Sequence, residues 1–129
     1  SIVLDFGSSI PPVEGNRIQL QQVILNLVVN AFDAMEEAER PRELVLRTRH
    51  ADCQVTVDVT DAGSGIPTEK VNSIFEPFFT TKPSGLGMGL ALSRSIVDAH
   101  DGRLWAENNP DRGATFHLAL PAGRNAGGR

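Results

Sequence analysis

Two runs of alternating apolar and polar residues place the strongest constraint on the fold of this chain. They read ELVLRTRH at residues 43–50 and CQVTVDVT at residues 53–60, with Ala51 and Asp52 between them. Alternation with a period of two is typical of strands that bury one face, and a two-residue connection is typical of a tight hairpin. The sequence therefore predicts an antiparallel pair of strands in the middle of the chain.

Helical periodicity precedes and follows this hairpin. Apolar residues recur at spacings of three and four over residues 16–39, with Asn16 as the expected N-cap, and a second long helix is expected over 88–100. A short helix capped by Thr68 is expected over 68–75. Three further strands are expected at residues 2–6, 102–108 and 113–121. This order predicts an α+β fold in which antiparallel pairs dominate.

Composition limits the class of protein. The 129 residues fit one domain, expected over residues 1–121, and a small polar tail at 122–129 is expected to be disordered. A formal net charge of −4 argues against a nucleic-acid surface. Cys53 is the single cysteine, so a reducing compartment, the cytoplasm, is expected. No run approaches the ~20 apolar residues that span a bilayer, so no direct membrane contact is expected.

A polar seam runs along the first predicted helix, within about 40° of one line on the helix surface. Its members are Gln22, Asn26, Asn30, Asp33 and Glu37. Leu25, Val29 and Phe32 flank the seam, so the helix is expected to be mostly buried. The seam could simply face water, but asparagine amides also suit a hard cation or a phosphate.

The segment DAGSGIP is a first candidate for ligand contact. Asp61 ends a predicted strand, and Gly63 and Gly65 follow it. Such glycines let the backbone approach a flat ligand, while the carboxylate can accept a hydrogen bond from an exocyclic amine. A plain structural turn is the alternative.

A second candidate is the run of Gly85, Gly87 and Gly89 directly before the second long helix. Unpaired N–H groups at a helix start attract anions, and Lys82 adds a positive charge, so a phosphate site is one interpretation and a flexible loop is the other. Neither the P-loop nor the dinucleotide fingerprint fits this spacing. The three histidines lack metal-ligand spacing and are expected to be structural: His50, His100 and His117.

The order of these motifs resembles the ATP-binding catalytic domain of sensor histidine kinases over about residues 11–121. The segments LQQVILNLVVNAFDAM, DAGSGIP, IFEPFFTTK and GLGMGLALSRSIVDAHDGRL correspond to that family's N, G1, F and G2 boxes, and GATFHLALP corresponds to its closing strand. The resemblance implies a two-layer α/β sandwich of the Bergerat type. In that fold a mixed, mostly antiparallel sheet packs on helices, and ATP lies under a mobile lid, here expected at residues 76–87.

The resemblance also implies roles for individual residues. Asn30 is similar to the family's Mg²⁺ ligand, Asn26 lies beside the phosphates, and Asp61 is similar to the carboxylate that reads the adenine amino group. Lys82 joins Asn26 and Asn30 as a catalytic candidate. The other expected ATP contacts are Asp33, Gly63, Gly65, Ile66, Phe75, Thr81, Gly85, Leu86, Gly87, Met88, Gly89, Leu90 and Thr115.

The chain departs from the family pattern at two positions, and it also lacks the family's phosphoacceptor. Asp101 stands where the family usually has glycine, so it must accept the backbone conformation of a glycine. Ala114 stands where many relatives have a threonine near adenine, for which Thr115 is the candidate substitute. No histidine here has the context of the phosphoacceptor, which in the family lies on a separate, dimerising helical hairpin.

The resemblance therefore implies the catalytic half of a histidine kinase, monomeric in isolation. It would transfer the γ-phosphoryl of Mg–ATP to a histidine of the dimerisation domain, with a response regulator receiver domain as the further partner. Two alternatives share this fold: gyrase- and chaperone-type ATPases, and a serine kinase that inhibits a sigma factor. The ATPases have a glutamate at the position of Asn26, where it can activate water, and the serine kinase usually has one too, so Asn26 argues against both. A domain that binds ATP only to sense it is a further alternative.

Overall fold

Helices and strands alternate along the chain much as the sequence indicates. The structure, a computed structural model, describes residues 2–6, 13–36, 43–71, 73–76 and 89–122. The helices are α1 (Arg17–Ala34) and α2 (Gly89–Ala99). The strands are β1 (Ile2–Phe6), β2 (Leu44–Ala51), β3 (Gln54–Thr60), β4 (Arg103–Asn108) and β5 (Ala114–Pro121).

The described strands form one sheet in the order β1-β2-β3-β5-β4. β1 pairs in parallel with β2, and the three other pairings are antiparallel. The predicted mixed, mostly antiparallel sheet is confirmed. α1 and α2 pack against each other and against one face of this sheet, so the second layer of the sandwich is helical.

The central hairpin turns one residue later than the sequence suggests. Ala51 still pairs with Gln54 in the ladder, so the two turn residues are Asp52 and Cys53 rather than Ala51 and Asp52. Their φ angles are +53° and +62°, the left-handed pair that a type I′ turn requires. Ala122, assigned by prediction to the tail, donates its N–H to the Cys53 carbonyl at 2.9 Å. The rest of the predicted tail lies outside the described residues.

α1 begins where the sequence predicts. The Asn16 side chain accepts a hydrogen bond from the Gln19 N–H at 3.0 Å and so caps the helix. His100, after α2, bonds to this start: its Nε2 accepts from the Asn16 N–H at 3.0 Å, while its Nδ1 lies 2.8 Å from the Ile96 carbonyl oxygen. His100 is therefore a structural residue, as expected. Asp101 has a φ of +60°, the conformation expected of a residue that replaces a glycine.

The core lies between α1, α2 and the inner face of the sheet. Its most deeply buried side chains include Val23, Leu27, Met35, Leu44, Val59, Val97 and Leu118. The prediction that α1 is mostly buried is wrong, since Leu25, Val29 and Phe32 are 54%, 48% and 42% exposed. Apolar side chains are common on protein surfaces, so hydrophobicity alone could not assign these three to the interior.

The predicted short helix is also wrong in extent. Only Thr68–Lys70 forms a 3-10 turn, and Pro67 precedes it without a side-chain cap from Thr68. Hydrogen bonds of the i→i+3 type continue through Ser73 and Glu76. The adjacent Ile74 and Phe75 are both buried, and this tertiary packing overrides a weak local helix propensity.

The outer face of the sheet carries a polar network around Asp58, which is 4% exposed. Its Oδ2 accepts from Arg49 Nη2 at 2.6 Å, and its Oδ1 lies 2.7 Å from His117 Nδ1. The Nε2 of His117 lies 2.7 Å from a Glu107 carboxylate oxygen, and Trp105 stacks on the imidazole at 4.9 Å. His117 thus has a structural role, as the sequence suggested.

Among the described residues no helix is long and apolar enough to cross a bilayer.

Candidate nucleotide site

Asp61 follows β3 directly, and its carboxylate is buried, with 3% of the residue exposed. One oxygen, Oδ1, accepts hydrogen bonds from the backbone N–H groups of Gly63 at 2.8 Å and Ala114 at 3.2 Å. Among the described residues, no donor reaches the other oxygen, Oδ2. Two backbone groups therefore fix the carboxylate and leave one acceptor oxygen for a ligand.

The environment of Asp61 changes its acidity. Desolvation by burial raises the pKa of the carboxyl above its ordinary value of 3.8, while the backbone hydrogen bonds from Gly63 and Ala114 act in the opposite direction. A buried carboxyl with a perturbed pKa and an unused acceptor oxygen is characteristic of a binding site.

Residues 61–66, which we call the base loop, pack against the C-terminal end of α1. A Cβ on Gly63 would lie 2.4 Å from the Ala34 carbonyl oxygen, and the Ala62 N–H donates to Met35 Sδ at 3.3 Å. Gly65 has a φ of +82°. Gly63 is therefore required because the loop approaches α1 closely, and Gly65 is required because its backbone is left-handed.

The turn between β4 and β5 contacts the same loop from the other side. The Asn108 side chain pairs with both backbone groups of Ile66, at 2.7 and 2.8 Å. Asn109 donates to the Asp61 carbonyl at 3.1 Å, and Arg112 also reaches the loop. Sequence reasoning did not single out these side chains, because Asn, Pro, Asp and Gly are all common in ordinary turns and NNPDRG carries no further signal.

The polar seam of α1 leads from the base loop to the start of α2. Asn26 Nδ2 donates to Ser93 Oγ at 3.0 Å and to the carbonyl of Gly89, the first residue of α2, at 3.4 Å. Its Oδ1 accepts from Gln22 at 2.9 Å. One turn later, the half-buried Asn30 makes no side-chain hydrogen bond to a described residue. α1 contacts the start of α2 through Asn26 and the base loop through Ala34, and these two residues lie roughly 12 Å apart along the helix axis.

The other expected site residues divide into three groups. Asp33 is half-buried on α1, next to the base loop contact, and a Cβ on Gly89 would meet nothing within 4 Å. Ile66, Phe75 and Leu90 pack against the core, with Phe75 at 6.1 Å from the Phe116 ring. Outside the described residues lie Thr81, Lys82, Gly85, Leu86, Gly87 and Met88, and with them all but the first residue of the expected lid.

Thr115 does not join the other candidates. It pairs with Thr60 on the outer face of the sheet, because its neighbour Phe116 points into the core and successive strand residues alternate. Its hydroxyl bonds to Thr60 Oγ1 at 3.0 Å and donates to Asn109 Oδ1. Thr115 therefore supports the β4–β5 turn, and its expected contact with ATP stays a prediction.

Residues 15–124 match the family described as histidine kinase-, DNA gyrase B- and HSP90-like ATPases. The chain belongs to this family of ATP-binding domains. Proteins similar to this chain include sensor proteins: the chain is 46% identical over 119 residues to the sensor protein FixL of Bradyrhizobium diazoefficiens. That match covers 92% of this chain and 23% of FixL, so the chain spans less than a quarter of this relative.

Solved structures agree with this assignment. The catalytic domain of histidine kinase ThkA has a TM-score of 0.83 at 32% identity, covering 95% of this chain and 80% of that one. Full-length ShkA in complex with AMPPNP has a TM-score of 0.82 at 27% identity, covering 95% of this chain and 25% of ShkA. ThkA in complex with the response regulator TrrA matches at 31% identity and a TM-score of 0.79, over 99% of this chain and 35% of that one. The chain is homologous to histidine kinase catalytic domains.

Proposed function

We propose that this domain positions ATP so that its γ-phosphoryl group passes to a histidine on a separate dimerisation domain. The observation that carries the proposal is the buried Asp61 carboxylate, fixed at Oδ1 by two backbone N–H groups and lacking a described donor at Oδ2. The adenine amino group is a donor that fits this acceptor. Guanine has a carbonyl oxygen at the corresponding position, so the same contact would select against it.

The phosphate end of the site would lie at the other end of the seam. The first N–H groups of α2, a helix of 11 residues, have no intrahelical partner, and such groups favour phosphate. Asn26, which bonds to Gly89 and Ser93, places α1 against this helix start. Lys82 and the glycines before α2 are proposed to complete the phosphate contacts.

The residues present fit a magnesium ion at Asn30. Its amide makes no side-chain hydrogen bond to a described residue, so the amide oxygen is available to a cation. Magnesium typically takes few protein ligands and completes its shell with substrate phosphates and water. When bound, the ion would neutralise charge on the β- and γ-phosphates.

The chemistry requires little beyond this positioning. A histidine nitrogen supplied by the dimerisation domain forms a bond to the γ-phosphorus, the bond from that phosphorus to the bridging oxygen breaks, and ADP leaves with the electron pair. The side chain at position 26 is an amide, which cannot take a proton from water as a general base. This favours transfer to histidine over the hydrolysis expected of a gyrase- or chaperone-type domain.

The proposed partners follow from the same activity. They are the histidine-bearing dimerisation domain of the full-length protein and a receiver domain of a response regulator, as in the complex of ThkA with TrrA. We place the domain in the cytoplasm, where ATP and a receiver domain would be available.

The test of the base contact is the Asp61→Asn variant, measured by calorimetry with Mg–ATP and Mg–GTP. Loss of a hydrogen bond to a charged group corresponds to roughly a 10- to 100-fold weaker affinity for ATP, with little change for GTP. Asp111→Ala is the matched control, because Asp111 is an exposed acidic residue in the nearby β4–β5 turn. Unchanged ATP affinity in a folded Asp61→Asn variant would remove the basis of the proposal.

A further inference from the structure

We infer that three side chains at the β4–β5 turn, Asn108, Asn109 and Arg112, position Asp61 for recognition of the adenine amino group. We call these three the hairpin clamp. The inference rests on the proposed function, because it assigns a task to residues that act through Asp61. None of the three belongs to the boxes that the sequence comparison with histidine kinases singled out.

Asn109 is the central member of the clamp. Its Nδ2 donates to the carbonyl oxygens of Asp61 at 3.1 Å and Arg112 at 3.0 Å, and its Oδ1 accepts from the Thr115 hydroxyl. Its backbone N–H donates to the Gly113 carbonyl at 2.9 Å. Both amide hydrogens and the amide oxygen are therefore engaged, and no other side chain of similar size offers two donors and an acceptor in this arrangement.

Asn108 and Arg112 fasten the rest of the base loop. Asn108 accepts from the Ile66 N–H at 2.7 Å and donates to the Ile66 carbonyl at 2.8 Å, as a neighbouring strand would. Arg112 Nε donates to the Ala62 carbonyl at 2.9 Å. The clamp thus binds the loop at its first, second and last residues.

The backbone of Gly113 lies directly against the backbone carbonyl group of Asp61. Its φ is +82°, and a Cβ there would lie 2.1 Å from the Asp61 carbonyl oxygen. The next residue, Ala114, both accepts from the Asp61 N–H at 2.9 Å and donates to Asp61 Oδ1. The backbone and the carboxylate of Asp61 are therefore held by the same turn that the hairpin clamp organises.

This arrangement makes the turn a determinant of base selectivity. A hydrogen bond to a ligand depends steeply on distance and angle, so a small rotation of the buried carboxylate would weaken its bond to an adenine amine. The phosphates are proposed to bind at the other end of α1, where Asn26 contacts the start of α2, and this turn does not contact that end of the helix. Loss of the clamp should therefore reduce the preference for adenine more than the affinity for triphosphates in general.

The experiment compares Mg–ATP with the triphosphate of purine riboside, which lacks the 6-amino group, by calorimetry on the 129-residue chain. The quantity measured is the ratio of the two dissociation constants. We expect wild type to prefer ATP by about 10- to 100-fold and Asn109→Asp to reduce this ratio about tenfold, because a carboxylate would face two carbonyl oxygens. Asn108→Ala and Arg112→Ala should reduce the ratio in the same direction, and they carry the test if Asn109→Asp does not fold.

Two controls separate the clamp from general stability and from the proposed function. Asp111→Ala, in the same turn, should leave the ratio unchanged. A parallel loss of affinity for both nucleotides in the clamp variants, or an unchanged ratio, would overturn the inference while leaving Asp61 as the base contact. An unchanged ratio in Asp61→Asn would instead overturn the proposed function, and the inference with it.

Discussion

At the scale of single residues, Asp61 is proposed to bind adenine, and its buried carboxylate at the same time destabilises the folded domain. Its carboxyl is buried and its pKa is raised by desolvation, so the charged form that suits an amine donor is the form that the folded domain disfavours. Residues at binding sites often destabilise the protein that carries them. Replacing the Asp61 carboxylate should therefore raise the stability of the domain and lower its affinity for the ligand.

We predict that Asp61→Asn raises the melting temperature of the nucleotide-free domain at pH 7. The folded carboxyl has a raised pKa, so the native state binds more protons than the unfolded state between the ordinary value of 3.8 and the folded value. The stability of wild type therefore falls as the pH rises through this window. Scanning calorimetry of both proteins should show a difference that is present at pH 7 and shrinks as the pH approaches 3.8; equal melting temperatures at pH 7 would contradict the prediction.

A second prediction concerns binding as a function of pH. The preference for ATP over purine riboside triphosphate should decrease as the pH falls through the raised pKa of Asp61, because protonation removes the charged acceptor. The ratio cancels the titration of the phosphates, which both nucleotides share. Asp61→Asn should show a weaker pH dependence of the ratio than wild type, and an equal pH dependence in the two proteins would exclude the carboxylate as the base contact.

At the scale of elements, helices and strands with strong periodicity could be predicted and their packing could not. The start of α1 followed from Asn16, and the central hairpin followed from alternation. The exposure of Leu25, Val29 and Phe32 depends on which faces the second layer covers, and a two-layer sandwich covers α1 from one side only. Sequence periodicity predicts which residues form the apolar stripe of a helix, but it does not predict which elements pack against that helix.

In the candidate site, too, some residues could be predicted from the sequence and others depend on packing. Asp61, Asn26 and Asn30 could be proposed from motifs because their residue types and order match a known family. The hairpin clamp could not, because its three side chains meet the base loop only after β4 and β5 have paired, and contacts separated by more than 40 residues leave no local pattern. The placement of Thr115 could not be predicted either, because its register with Thr60 decides which face of the sheet it occupies, and register is a property of the sheet.

The sheet itself offers a prediction that is independent of the site. Asp58 is buried on the outer face between Arg49 and His117, so Asp58→Ala should lower the free energy of unfolding by roughly 1–3 kcal/mol. Asp5→Ala is the matched control, because the Asp5–Arg47 pair is exposed and should contribute less than about 1 kcal/mol. Urea titration measures both, and ATP affinity should be unchanged in each, since neither residue lies on the helical side of the sheet. Equal effects of the two substitutions would contradict this account of the network.

At the scale of the whole molecule, the fold separates two tasks along α1. The C-terminal end of the helix contacts the base loop, where adenine selectivity is proposed to lie, and Asn26 contacts the start of α2, where the phosphates are proposed to bind. In the described part of the site an amide, Asn26, stands where hydrolysis would need a general base, and the phosphoacceptor is proposed to lie on another domain. The domain therefore suits the delivery of a phosphoryl group to another domain rather than its transfer to water.

The most direct test follows the fate of the γ-phosphate. The chain is incubated with γ-labelled Mg–ATP, alone or with the helical histidine domain of the full-length protein. Alone, it should bind ATP, release phosphate barely above background and label none of its three histidines. With the acceptor domain, it should produce an acid-labile phosphoprotein, and Asn30→Ala should abolish this labelling by removing the proposed magnesium ligand. Rapid multiple-turnover hydrolysis by the isolated domain, or label on serine, would contradict the account.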